Sequence, residues 1–128
     1  MTIYSATTAD ITVHVHSMFL ERHSAPINHK FVFAYFIRIE NNGSDTVQLL
    51  RRHWYIAQAD TDVVEEVEGE GVVGRQPIIQ PNDAHEYNSF CSLESFDGSM
   101  EGTYRFRREN GEEFDVAIPR FQLRAYAN

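Results

Sequence analysis

Apolar and polar side chains alternate with a period of two over most of the chain, the signature of strands that bury one face. Ile11, Val13 and Val15 alternate with Thr12, His14 and His16, which predicts a half-buried strand. The strongest pattern runs from His29 to Asn41, where Phe31, Phe33, Tyr35, Ile37 and Ile39 share one face. The second face begins apolar with Val32, Ala34 and Phe36 and turns polar at Arg38 and Glu40. That pattern predicts a central strand covered on both faces for half its length. Asn41-Asn42-Gly43-Ser44-Asp45 is a strong turn signal and predicts a hairpin or tight connection into a strand over 46–57.

Beyond a polar stretch at Gln58-Ala59-Asp60-Thr61-Asp62, a short strand over 63–67 leads into the glycine-rich run Gly69-Glu70-Gly71-Val72-Val73-Gly74. Residues 77–83 predict a short edge segment closed by a turn, because Pro77 and Pro81 remove ladder donors. Further strands are expected over 84–89, 98–107 and 112–118, the last two joined by a turn at Glu109-Asn110-Gly111. The segment 121–126 is expected to finish the sheet or cross its end. No helical period emerges. About seven or eight short strands, with turns roughly every 8–12 residues, predict an all-β fold. The expected architecture is a two-sheet antiparallel β-sandwich of immunoglobulin or fibronectin III type, with a small barrel as the alternative. No repeat or linker divides the chain, so residues 1–128 are expected to form one domain.

Composition narrows the function classes. A chain of 128 residues, 42% of them hydrophobic, can bury one core without staples, which excludes disorder as the default. No apolar run approaches the roughly 20 residues needed to cross a bilayer. The N-terminus lacks the basic start and hydrophobic stretch of a secretory signal. The single Cys91 permits no internal disulfide and fits a reducing compartment, so the cytoplasm is the expected location. A net charge of −8, from 19 acidic against 11 basic side chains, opposes binding to nucleic-acid backbones.

Several clusters invite a chemical reading. Gly69, Gly71 and Gly74 match the dinucleotide fingerprint by letters, but that fingerprint needs a helix next. Here Arg75-Gln76-Pro77 follows, so a glycine-rich loop or bulge using positive φ is expected. An anion held by its backbone N–H groups together with Arg75 is the alternative. His14 and His16 share one strand face and are weak candidates for a borderline metal; a third ligand would have to come from Cys91, His23, His29, His53 or His85. Arg105 and Arg107 share a face and are expected either to pair with acids on a neighbouring strand or to form a partner-binding patch. Trp54 is expected in the core, with Arg52 on its side of the strand and Arg51, His53 and Tyr55 on the other. Cys91 is expected to be a half-buried small hydrophobe and not a nucleophile.

Long motifs carry a family resemblance. They are Val47-Gln48-Leu49-Leu50-Arg51-Arg52-His53-Trp54, Val67-Glu68-Gly69-Glu70-Gly71-Val72-Val73-Gly74-Arg75-Gln76-Pro77, Gly98-Ser99-Met100-Glu101-Gly102-Thr103-Tyr104 and Phe114-Asp115-Val116-Ala117-Ile118-Pro119. With Pro81, Tyr87, Cys91 and Phe121, they make the chain resemble the ApaG family over nearly its whole length. The resemblance implies a fibronectin III-like sandwich without established enzymatic activity. It also implies a genetic link to cobalt resistance and magnesium efflux, and, from eukaryotic relatives, a protein-interaction role. A neighbouring diadenosine tetraphosphatase gene in bacteria has prompted nucleotide-binding proposals for the family. Phe90 departs from it, standing where Gly is usual.

Together these expectations describe a non-enzymatic binding module with no cofactor and an unidentified protein partner. It would contact that partner through Arg105, Arg107 and the Gly69–Arg75 segment. Self-association through an uncovered sheet edge is a further expectation. The alternative is a nucleotide- or pyrophosphate-binding protein or hydrolase using the Gly69–Gly74 segment.

Overall fold

The computed structural model describes residues 1–126. Among these residues nine strands are formed: β1 (Tyr4–Thr8), β2 (Ile11–Phe19), β3 (Phe31–Asn41), β4 (Val47–Gln58), β5 (Val64–Glu70), β6 (Ile78–Ile79), β7 (Ala84–Leu93), β8 (Asp97–Arg108) and β9 (Glu113–Arg124). Two single 3₁₀ turns, Glu21–His23 and Pro26–Asn28, lie between β2 and β3. One sheet has the order β1-β2-β3-β7 and the other β5-β4-β8-β9, with β6 also paired to β4; every pairing is antiparallel. The two layers form an immunoglobulin/fibronectin III-like sandwich, and the small-barrel alternative falls away.

The core is the set of inward positions that the period-two pattern marks. Val13, Val15, Phe33 and Ile39 from the first sheet meet Leu49, Tyr104, Phe106 and Phe121 from the second, all of them fully buried. Trp54 lies among them, edge-on to Tyr35 and Phe121 at 5.5 and 5.9 Å between ring centroids. The two layers close where β1 and β2 meet β9: the Ala117 N–H donates to Thr8 Oγ1 at 3.2 Å and Ser17 Oγ donates to the Gln122 carbonyl at 2.7 Å.

Two expectations are corrected. The Asn41–Asp45 turn does not make a hairpin: β3 and β4 lie in different sheets, so the connection crosses the sandwich. It is pinned by Asn41, only 1% exposed. Asn41 Nδ2 donates to the carbonyls of Asp45 (2.7 Å) and Ile79 (3.0 Å), and its Oδ1 accepts from the Gly43 N–H (3.0 Å). Second, β3 is not covered on both faces. Ala34 is buried, but Val32 and Phe36 remain half-exposed, and Phe90, beside Ala34 in the ladder, is 63% exposed. Residues 121–124 finish the sheet, one of the two alternatives expected, because β9 runs unbroken past Pro119 to Arg124. Its register with β8 shifts between Met100 and Gly102, and the missing Pro119 N–H falls at that irregularity.

Asn41→Ala leaves buried carbonyls and an N–H without partners and is expected to cost about 2–3 kcal/mol in urea unfolding. Asn42→Ala, which removes one exposed bond to Thr12, should cost less than about 0.5 kcal/mol. Equal costs would contradict the pinning role.

Candidate functional site

Arg105 and Arg107 occupy the outer face of the five-stranded sheet, where the first faces carboxylates and the second an amide. Arg105 Nε lies 3.7 Å from Glu113 Oε1 and 3.5 Å from Asp115 Oδ1, on the strand beside it. Arg107 donates to Gln48 Oε1 at 3.1 Å. His53 on the same face sits between Glu66 and Glu68, at 3.3 and 3.0 Å. Such exposed pairs contribute little each, and Arg51, opposite Arg105 in the ladder, is in none of the ion pairs among the described residues.

The glycine segment divides into three roles. Gly71 and Gly74 hold φ of +63° and +75°, as a loop of this kind requires. Gly69 does not; it lies within β5, and a Cβ there would stand 2.8 Å from both terminal nitrogens of Arg52. Residues 72–75 close a tight turn: the Val72 N–H donates to the Arg75 carbonyl (2.7 Å) and the Arg75 N–H to that of Val72 (3.1 Å). The Gly71 N–H donates to the Leu50 carbonyl at 2.8 Å. Three of the N–H groups that an anion nest would use are therefore already engaged. A strand follows the turn and not a helix.

The segment instead frames Arg52, which the sequence pattern places on the Trp54 side of β4. Its guanidinium crosses Gly69, and Nη1 donates to the carbonyls of Glu70 and Gly71 at 3.0 Å each. Among the described residues no ion pair includes it. Beside it a slot of about 210 Å³ opens between the layers, walled by Tyr35, Trp54, Tyr87, Ser89 and the 72–74 turn. Burial raises the phenol pKa values of Tyr35, Tyr87 and Tyr104, so none of them supplies a counter-charge. Val73, at the lip, is a β-branched residue with φ +48°, a strained conformation of the kind found at ligand sites.

His14 and His16 do share the outer face of β2. His14 Nδ1 lies 2.6 Å from Ser5 Oγ and Nε2 lies 2.5 Å from Glu40 Oε1, and this bond holds the Glu40 carboxyl below its ordinary range. His16 stacks on Phe36 at 4.8 Å. Among the described residues no three His, Cys, Asp or Glu side chains converge as a metal site. Ser5, His14 and Glu40 line up, but Ser5 sits in mid-strand, not on the sharp turn that sets a nucleophile beside oxyanion donors. Around His16 and Phe36 lies a depression of about 520 Å³, bordered by Ile3, Arg38 and Asn88. Ile3 (57%) and Met18 (51%) are exposed on this side.

Cys91 is half-buried on β7, and burial, reinforced by the Glu65 carboxylate, pushes its thiol up from 9.0 to about 11. Near pH 8 that leaves about 100-fold less thiolate than an ordinary cysteine. Alkylation by iodoacetamide is expected to be slower by a similar factor; labelling at the rate of a free thiol would contradict the placement.

Neither the framing of Arg52 nor the uncovered β3–β7 face is anticipated from sequence. For Arg52 a signal is present, since an arginine alternating with a core tryptophan must point inward.

The sequence profile of the ApaG domain matches residues 21–108, more than half of the chain. A curated Protein ApaG from Paramagnetospirillum magneticum is 51% identical over 121 residues, covering 94% of this chain and 92% of that one. Protein ApaG from Brucella abortus is 43% identical over the same shares. A crystal structure described as an ApaA protein from Bordetella pertussis superposes with a TM-score of 0.86 at 43% identity, covering 90% of this chain and 93% of that one.

Proposed function

This chain belongs to the ApaG domain family, and from that premise we propose that it is a non-enzymatic binding module for another protein. Its contact surface is the outer face of the β1-β2-β3-β7 sheet. The observation that carries this reading is the uncovered apolar strip on that face. The exposed Met18 and Phe90 flank the buried Ala34 in register across three strands, next to the row of His16, Phe36 and Asn88. Exposed apolar groups gathered this way mark contact surfaces. Arg105 and Arg107, by contrast, face carboxylates or an amide of their own sheet.

Charge decides the kind of partner. The rim holds Arg38 between Glu40 and Glu86, at 3.5 and 3.3 Å, so its balance is acidic. Each copy also carries a net −8, which disfavours a second copy as occupant. The partner proposed presents an aliphatic or aromatic patch flanked by Lys or Arg. The biological setting proposed is the one the family implies, divalent-cation homeostasis in a bacterial cytoplasm. No helix among the described residues is long and apolar enough to cross a membrane.

The test is a comparative capture from extract of the native cell with the full chain as bait. Phe90→Glu is expected to lower recovery of a specific basic-faced protein by at least about tenfold, the loss of an interface anchor. Arg105→Glu with Arg107→Glu should leave recovery within about twofold. Dependence on the arginines and not on Phe90, or recovery of this chain alone, would overturn the reading.

A further inference from the structure

We propose that the slot beside Arg52 is a binding site for a carboxylate, borne on a small apolar body or on the last residue of a peptide. The site is separate from the outer sheet face and lies on the opposite, open side of the sandwich, between β7 and the 72–75 turn. Three observations carry it.

The first is a half-buried guanidinium with no carboxylate of its own among the described residues. Two backbone carbonyls fix its Nη1, as a held arginine needs if it is to present its remaining N–H groups in a set direction. Leaving such a charge between aromatic walls is costly unless a partner neutralises it. The tyrosines beside it stay neutral and supply none.

The second is Gly69. It has no positive φ to explain it, and the three heavy atoms nearest to a methyl group there would all belong to the Arg52 guanidinium, at 2.8–2.9 Å. The glycine makes room for the guanidinium.

The third is the size and lining of the slot. About 210 Å³ admits a single side chain or a small acid, not a nucleotide. Trp54 and Tyr35 offer apolar surface. The hydroxyls of Ser89 and Tyr87 also line it, the latter bonded to the Tyr104 hydroxyl. One guanidinium matches a monoanion in charge and forked geometry. A phosphate dianion would want a second cation, and among the described residues Arg52 is the only one that lines the slot.

Trp54 is the sole tryptophan of the chain and forms a wall of the slot, so its fluorescence reports occupancy. The full-length protein is titrated with hydrocinnamate, with a tetrapeptide ending in a free Phe carboxylate, with the same peptide as its C-terminal amide, and with inorganic phosphate. A saturable change is expected for at least one of the two carboxylates, with a midpoint of about 1 mM or tighter. The amide and phosphate should give none. Tighter binding of the peptide assigns the site to protein C-termini, and tighter binding of hydrocinnamate to free small acids.

Arg52→Met is expected to weaken binding at least tenfold. Because Arg52 also ties the glycine loop, Gly69→Ala serves as the second variant. Its nearest contacts would be with the flexible end of Arg52, so it should keep its melting temperature within a few degrees and should also lose binding. Unchanged binding in Gly69→Ala, equal binding of the amide, a response to phosphate alone, or no saturable response to either carboxylate would each overturn the proposal.

Discussion

Gly102→Ala is expected to destabilise this domain more than any other glycine-to-alanine change, by about 4 kcal/mol or more. The Cβ would stand 1.9 Å from the His53 carbonyl oxygen and 3.2 Å from the Trp54 Cα, both backbone atoms of β4. A flexible side chain could swing aside, but a paired strand can move only by giving up its ladder. β4 and β8 are the central strands of their sheet, so the cost spreads into both neighbours. Most domains have only about 5–15 kcal/mol to lose. Gly74→Ala is the control. Nothing lies within 4 Å of its Cβ, and only the φ of +75° opposes it, so about 1 kcal/mol is expected. Urea unfolding of both variants reads the difference directly. Similar costs for the two would mean that β4 and β8 do not approach this closely.

Trp54→Ala is expected to cost about 3–5 kcal/mol and to lower the melting temperature by roughly 10–20 °C. The indole is 2% exposed and meets Tyr35, Tyr104 and Phe121 edge-on, across both layers. Truncation removes its own burial and the partner surface of three aromatic rings, leaving a cavity that packed strands cannot close. Trp54→Phe keeps an aromatic body and should cost less than half as much. A small effect for the alanine variant would place Trp54 outside the core and would also remove the wall of the slot beside Arg52.

The strands with dense alternation were legible because the pleat imposes the pattern locally. Ile11, Val13 and Val15, and then Phe31, Phe33, Tyr35, Ile37 and Ile39, face inward as the spacing predicts. β1 was not legible: Tyr4-Ser5-Ala6-Thr7-Thr8 has one large apolar residue, and its place depends on pairing with β2. The corner after Asn41 shows the same division. Asn-Asn-Gly fixes a turn by short-range chemistry, but β4 joins the other sheet because Val47 pairs with Ile79 and Arg108, contacts remote in sequence.

The candidate sites follow this rule too. Arg105 looks available on its own strand, and only the register beside Asp115 shows it engaged. The apolar second face of β3 was read correctly as apolar. What covers such a face lies beyond the reach of periodicity, and among the described residues no element does. Phe90 adds to that strip.

Hydroxyl-radical footprinting tests most directly whether the strip is a contact surface. In the free protein Met18 and Phe90 should oxidise readily and Met100, in the core, hardly at all. On addition of the captured partner, oxidation of Met18 and Phe90 should fall severalfold, with Tyr55 on the opposite sheet unchanged. Protection of Tyr55 in place of Met18 and Phe90 would contradict the account.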